Sequence, residues 1–144
     1  MAGFLIALLS GALMTIQGVF NTHVTKASGI WSASAFVSLT AFLVCAGAWF
    51  GLERSDLRRI FSVEPKYMLL GGAIGALITF TVIKSMELLG PAKAVLLIVT
   101  SQLAVAYALE LFGLFQVDRQ PWEWRKALGM ALAIAGFTVF QWKG

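Results

Sequence analysis

Residues 71–112 read GGAIGALITFTVIKSMELLGPAKAVLLIVTSQLAVAYALELF. Two apolar runs flank Gly90-Pro91, and only Lys84, Glu87, Lys93 and Glu110 carry charge in the whole stretch. Each run is about 20 residues long, the length of helix that crosses a hydrocarbon core about 30 Å thick. Proline suits the first turn of a helix and disrupts its interior. Gly90-Pro91 therefore ends one helix and opens the next. The stretch reads as two consecutive membrane-spanning helices.

The pattern continues in both directions. Residues 1–25, 27–52, 67–83, 94–109 and 127–142 contain no Asp, Glu, Lys or Arg. The first two windows are long enough to span by themselves. The other three need a helix that runs past a bounding charge or tilts. Five spans follow, at about residues 3–21, 30–52, 67–89, 91–114 and 124–142. They use most of the 144 residues, so the chain reads as one all-α integral membrane domain with short loops. The N-terminal run lacks a basic leader and a clear small-x-small cleavage site, so it reads as a retained first helix. Pro121 stops the fourth helix from continuing, and Glu123 suits the first turn of the fifth. Trp31, Trp49, Tyr67, Trp122, Trp124 and Trp142 lie near span ends, as an aromatic belt does.

Composition agrees. Hydrophobic residues make up 59% of the chain and charged residues 12%, about half the usual soluble share. Mean hydropathy is +0.84. A soluble enzyme, a disordered chain and a nucleic-acid-binding domain are excluded on this basis. The 11 basic residues punctuate apolar runs instead of forming one patch, so no nucleic-acid partner is expected. One cysteine and one histidine cannot build a zinc or redox motif, and no metal or cofactor is expected. Cys45 reads as a small apolar packing residue.

An odd number of spans puts the termini on opposite sides. The N-terminal side then holds Arg54, Arg58, Arg59, Lys66, Arg119, Arg125 and Lys126, seven cations, against Lys26, Lys93 and Lys143 on the other side. Lys84 is the eleventh, inside the third span. The bias predicts a cytoplasmic N-terminus and an external C-terminus.

Small residues recur at close-packing spacings: Gly71 and Gly75, Gly129 with Ala133 and Gly136, and Gly11 with Thr15 and Gly18. Polar residues inside spans say more, because lipid penalises them unless they face protein or water. Ser10, Gln17, Asn21 and Thr25 follow at spacings of seven, four and four, on one helical face. Gln17 and Asn21 are read as cavity lining. Ser34, Ser38, Thr81 and Thr100 are expected to bond back to their own helix carbonyls. His23 reads as an exposed loop residue. Lys84 has three ways to relieve its cost: snorkelling, pairing with Glu87 three residues on, or facing a water-filled pathway. With Lys93 nearby, the local charge favours anionic groups. Gln102 and Glu110 stand eight apart on the fourth span. Glu110 is expected to partner Arg125, Lys126 or helix-end amides. Glu87 and Glu110 fall near opposite membrane faces and cannot act as a close acid/base pair. No phosphate-binding Gly loop, HExxH or GxSxG occurs, so the chain is not read as an enzyme.

The order of several features resembles the drug/metabolite transporter superfamily, and within it the short, single-domain YdcZ-like bacterial branch related to the EamA transporters. These are the Leu-Gly-Pro-Ala turn at 89–92, Ser101-Gln102-Leu103, ELFGLF at 110–115, Gly129 and Gly136, with Gln17-Gly18 and Asn21 near the start. The resemblance covers effectively the whole chain. It implies a five-helix unit equal to half of an inverted-repeat, ten-helix transporter of the bacterial inner membrane. A lone half implies an antiparallel pair, either a homodimer or a heterodimer with an oppositely oriented paralogue, around a central substrate cavity. The expected function is secondary transport, in the export direction, of a small metabolite or amphiphile. Gln17, Asn21, Lys84 and Gln102 would line the cavity, with Glu87 and Glu110 as gating or structural charges. The expected partners are the small-molecule substrate, membrane lipid and the second five-helix unit. The competing readings are a non-transporting membrane scaffold or regulatory subunit and, third, a lipid-modifying enzyme.

Overall fold

The computed structural model describes residues 1–141; Trp142 and Lys143, which enter the belt, span and charge readings above, lie outside them. The elements are α1 (Ala2–Ser28), α2 (Ile30–Ala48), α3 (Gly71–Leu89), α4 (Pro91–Phe112) and α5 (Trp124–Gln141). A π-helical turn, Trp49–Glu53, prolongs α2, and a 3-10 turn, Lys66–Leu70, leads into α3. Further 3-10 turns lie at Leu57–Ser62 and Leu114–Gln116. Among the described residues there is no strand.

Local chemistry sets the helix ends. Gly29 alone separates α1 from α2, and Gly90 alone separates α3 from α4. Their backbones match, with φ 85°, ψ 156° and φ 78°, ψ 160°. That region is essentially closed to residues with a β-carbon. Pro91 takes the first helical position of α4, where its missing N–H costs nothing. Gly113 ends α4 in the left-handed conformation, its N–H donating to the Leu109 carbonyl.

Four stretches among the described residues are long and apolar enough to cross a membrane: Ala2–Ser28, Ile30–Glu53, Lys66–Leu89 and Pro91–Phe112. The shortest has 22 residues, about 33 Å of helix. The fifth helix is not among them. Its 18 described residues include Arg125 and Lys126 just after Trp124, which take two strongly polar positions from an already short run. The first helix is longer than the expected span and continues to Ser28. Its polar residues do not break it, because Thr22 and Ser28 hydroxyls donate to the Gly18 and Val24 carbonyls at 2.8 and 3.0 Å. His23 accordingly sits exposed on α1 and not in a loop.

The chain divides into two units, Met1–Leu88 and the segment from Leu89 onward. In the first, α1 packs on α2 and approaches α3 at Gly18. A β-carbon on Gly18 would lie 2.5 Å from Met86 Cε and 2.7 Å from its Sδ, so a side chain there would force the flexible end of Met86 to move. Trp31 stacks on Phe80 with ring centres 4.9 Å apart. Gly18, Asn21, Ala33, Ser34, Ile83 and Met86 are buried. In the second unit α4 packs on α5, and Ala94 and Tyr107 are buried.

Most other apolar side chains point outward, among them Leu5, Phe36, Phe42, Leu77 and Leu132. Such continuous apolar surface suits lipid contact. Cys45, expected to pack, is exposed, because α2 buries only Ala33 and Ser34 near its start. The other glycines at close-packing spacings, Gly11, Gly71, Gly75, Gly129 and Gly136, have open space where a β-carbon would stand.

Candidate functional site

The polar face of α1 is a groove. Ser10, Gln17 and Asn21 line it together with Leu13, Met14, Ile16 and Phe20, around a volume of about 380 Å³. Helical spacing brings the three polar side chains to one side, as their seven- and four-residue intervals require. Gln17 is exposed, whereas Asn21 is only 8% exposed. One turn on, the Thr25 hydroxyl is buried with no hydrogen-bond partner, and so is that of Ser34 on α2. Ser34 therefore does not bond back to its own helix, contrary to expectation. Its burial against the other helices of the first unit takes the hydroxyl out of solvent without supplying an acceptor. Thr81 does bond back, to Leu77 and Ile78 at 2.9 and 3.0 Å, and so does Thr100, to Leu96 at 2.8 Å.

Lys84 forms an ion pair with Glu87, Nζ to Oε2 at 2.8 Å, one turn apart on α3. Both side chains remain well exposed, at 47% and 37%. Of the three ways open to Lys84, the described geometry uses pairing. Gln102 is exposed on α4 and belongs to the second unit.

The second unit gathers a cluster that spacing reveals only in part. Lys126 Nζ stands 3.2 Å from Glu110 Oε2 and 3.6 Å from Glu123 Oε1. It also lies 5.6 Å from the centre of the Tyr107 ring. The expected pairing of Glu110 with Lys126 is present. Tyr107 was not singled out, although it precedes Glu110 by three residues and so shares its helical face. Its hydroxyl accepts from the Glu123 backbone N–H at 3.1 Å and donates to the Glu123 carbonyl at 3.4 Å. Gln120 N–H donates to the Glu110 carbonyl at 2.9 Å, and Arg119 Nε to the Leu111 carbonyl at 3.1 Å. These bonds tie the segment between α4 and α5 back onto the end of α4.

Tyr107→Phe removes the hydroxyl and leaves both Glu123 backbone groups without it. We expect a loss of about 1–3 kcal/mol of stability with helical content unchanged, read from denaturant unfolding of the purified protein. Unchanged stability would show that water replaces the hydroxyl without cost.

Residues 2–139 match the family model described as "Putative inner membrane exporter, YdcZ". No curated protein and no solved structure matches the chain.

Proposed function

Because the chain belongs to the YdcZ family of inner membrane exporters, we propose that it is one five-helix half of a secondary transporter that exports a small metabolite or amphiphile. Multi-pass placement in the inner membrane follows from the family and from the four long apolar helices. Five spans, the fifth being α5, put the termini on opposite sides, and the cation bias puts the N-terminus in the cytoplasm and the C-terminus outside in most copies. Two such units pair antiparallel, as a homodimer or with an oppositely oriented paralogue. Rocking of the units around a central cavity alternates its access. Gln17, Asn21, Lys84 and Gln102 contribute its polar lining, with Glu87 and Glu110 as gating or structural charges.

The α1 groove carries this reading. Two amides on one face of a membrane-spanning helix are costly against lipid. The groove residues all come from α1, so one helix supplies the wall and a partner five-helix chain would close it. The open surface over Gly71, Gly75, Gly129 and Gly136 leaves room for close helix approach.

The test is accessibility joined to flux. In a Cys45→Ser background, Gln17→Cys and Asn21→Cys should react with a water-soluble thiol reagent in membranes, whereas Leu9→Cys should not. Proteoliposomes of the unlabelled protein should then move at least one solute from a panel of amino acids, cationic amphiphiles and nucleotide-sugar-like anions. Labelling at position 17 should block that flux. Protection of positions 17 and 21 equal to that of position 9, with no flux, would favour the scaffold reading.

A further inference from the structure

The Lys126 cluster has no part in the α1 groove, and its geometry has a meaning of its own. One ammonium stands between the carboxylates of Glu110 and Glu123 and on the face of the Tyr107 ring. Carboxylates and an aromatic face together are how proteins hold ammonium groups. Beside the ammonium lies a cavity of about 450 Å³, within the range of small-molecule sites. Apart from Glu110, Lys126 and Tyr107 its lining is apolar, with Leu103, Ala106 and Met130 prominent. The Arg119 side chain lines a different groove, with Pro121 and Trp122, and its Nε is engaged by the Leu111 carbonyl. Counted over the cluster, two carboxylates face one ammonium, a net charge of minus one.

Lys126 is held there by a flexible stem and is 37% exposed. It can turn its ammonium toward water without moving α5, as long cationic side chains near membrane surfaces do. We propose that this cavity binds an ammonium-bearing amphiphile. The ligand's ammonium takes the place of Lys126 Nζ beside Glu110, and its apolar tail lies against Leu103, Ala106 and Met130. Lys126 is then a tethered competitor that fills the cation position when the site is empty. This site lies wholly in the second unit and does not depend on the transport reading.

The probe is octyltrimethylammonium, measured by equilibrium binding to the full-length protein in phosphatidylglycerol nanodiscs, with octyl sulfate as the anionic control. Removing a competitor that occupies its site about nine-tenths of the time should tighten apparent binding about tenfold, so Lys126→Met is expected to do so. Adding Glu110→Gln to Lys126→Met should remove that gain. Unchanged or weaker binding by Lys126→Met, or equal binding of octyl sulfate, would overturn the proposal. A second measurement needs no variant. Saturating probe should raise the rate of amine-directed modification of Lys126 in the wild-type protein, with that of Lys84 unchanged, as read by peptide mass spectrometry. No rise at Lys126 would also overturn it. Adding phosphatidylethanolamine to the nanodiscs separates the sources of such a ligand. Competition with the probe supports a membrane lipid occupant, and its absence supports a soluble amine.

Discussion

Gly29→Ala and Gly90→Ala are each expected to destabilise the protein by about 1–3 kcal/mol, and the double substitution to abolish the folded population in mild denaturant. Both glycines occupy a backbone region that residues with a β-carbon rarely enter, and each is the whole connection between two helices. No heavy atom lies within 4 Å of where either β-carbon would stand. Any loss therefore comes from backbone conformation and not from a clash. Gly47→Ala in α2 is the matched control, since Gly47 also has open space but no unusual φ. Detergent-denaturant titration of the purified proteins compares the three. If Gly29→Ala and Gly90→Ala unfold with the Gly47→Ala control, the two breaks do not need their conformation.

Lys84→Gln is expected to abolish transport while expression and membrane insertion stay near wild type. A charged side chain at the centre of a membrane helix costs about 2.5–3.5 kcal/mol on insertion scales and glutamine carries no charge, so insertion should not suffer from the new side chain itself. Structure adds a sharper test than loss alone. Lys84 bonds Glu87 at 2.8 Å, so the substitution also strands a carboxylate. If the pair only holds α3 in shape, Lys84→Gln with Glu87→Gln should restore flux, because both charges leave together. If Lys84 contacts substrate or gates the cavity, the double variant stays inactive. Normal flux in Lys84→Gln alone would reduce the residue to a surface anchor and withdraw the preference for anionic groups.

How far a residue's role could be read from spacing depended on the range of its interactions. Lys84 and Glu87 are one turn apart on one helix, so their pairing was among the options from the residue order. Ser10, Gln17 and Asn21 share a groove for the same reason. Glu110 and Lys126 are 16 residues apart, yet opposite charges at two predicted span ends narrowed the choice. Tyr107 gave no such sign. Its hydroxyl meets the backbone of Glu123, and backbone groups look alike at every position.

The chain by itself determined that it is a helical membrane protein and where most of its helices stop. Apolar length, the Gly-Pro break and charge spacing act within a few residues, and lipid requires helices to satisfy their own backbone bonds. Tertiary structure decided which small residues touch, which hydroxyls lose their partners and where Lys126 rests. Among the described residues, only Gly18 of the glycines at close-packing spacings is met by a neighbouring side chain, and of the span hydroxyls Thr25 and Ser34 are left buried and unpaired. The left-handed Gly113, followed by Phe115 and Gln116 with φ 54° and 66°, lies on the segment that joins α4 to Glu123 and Lys126. Such outcomes depend on how helices and loops meet, and a lipid environment rewards close packing and polar pairing wherever they occur, without a hydrophobic force that would mark the chosen face in the sequence.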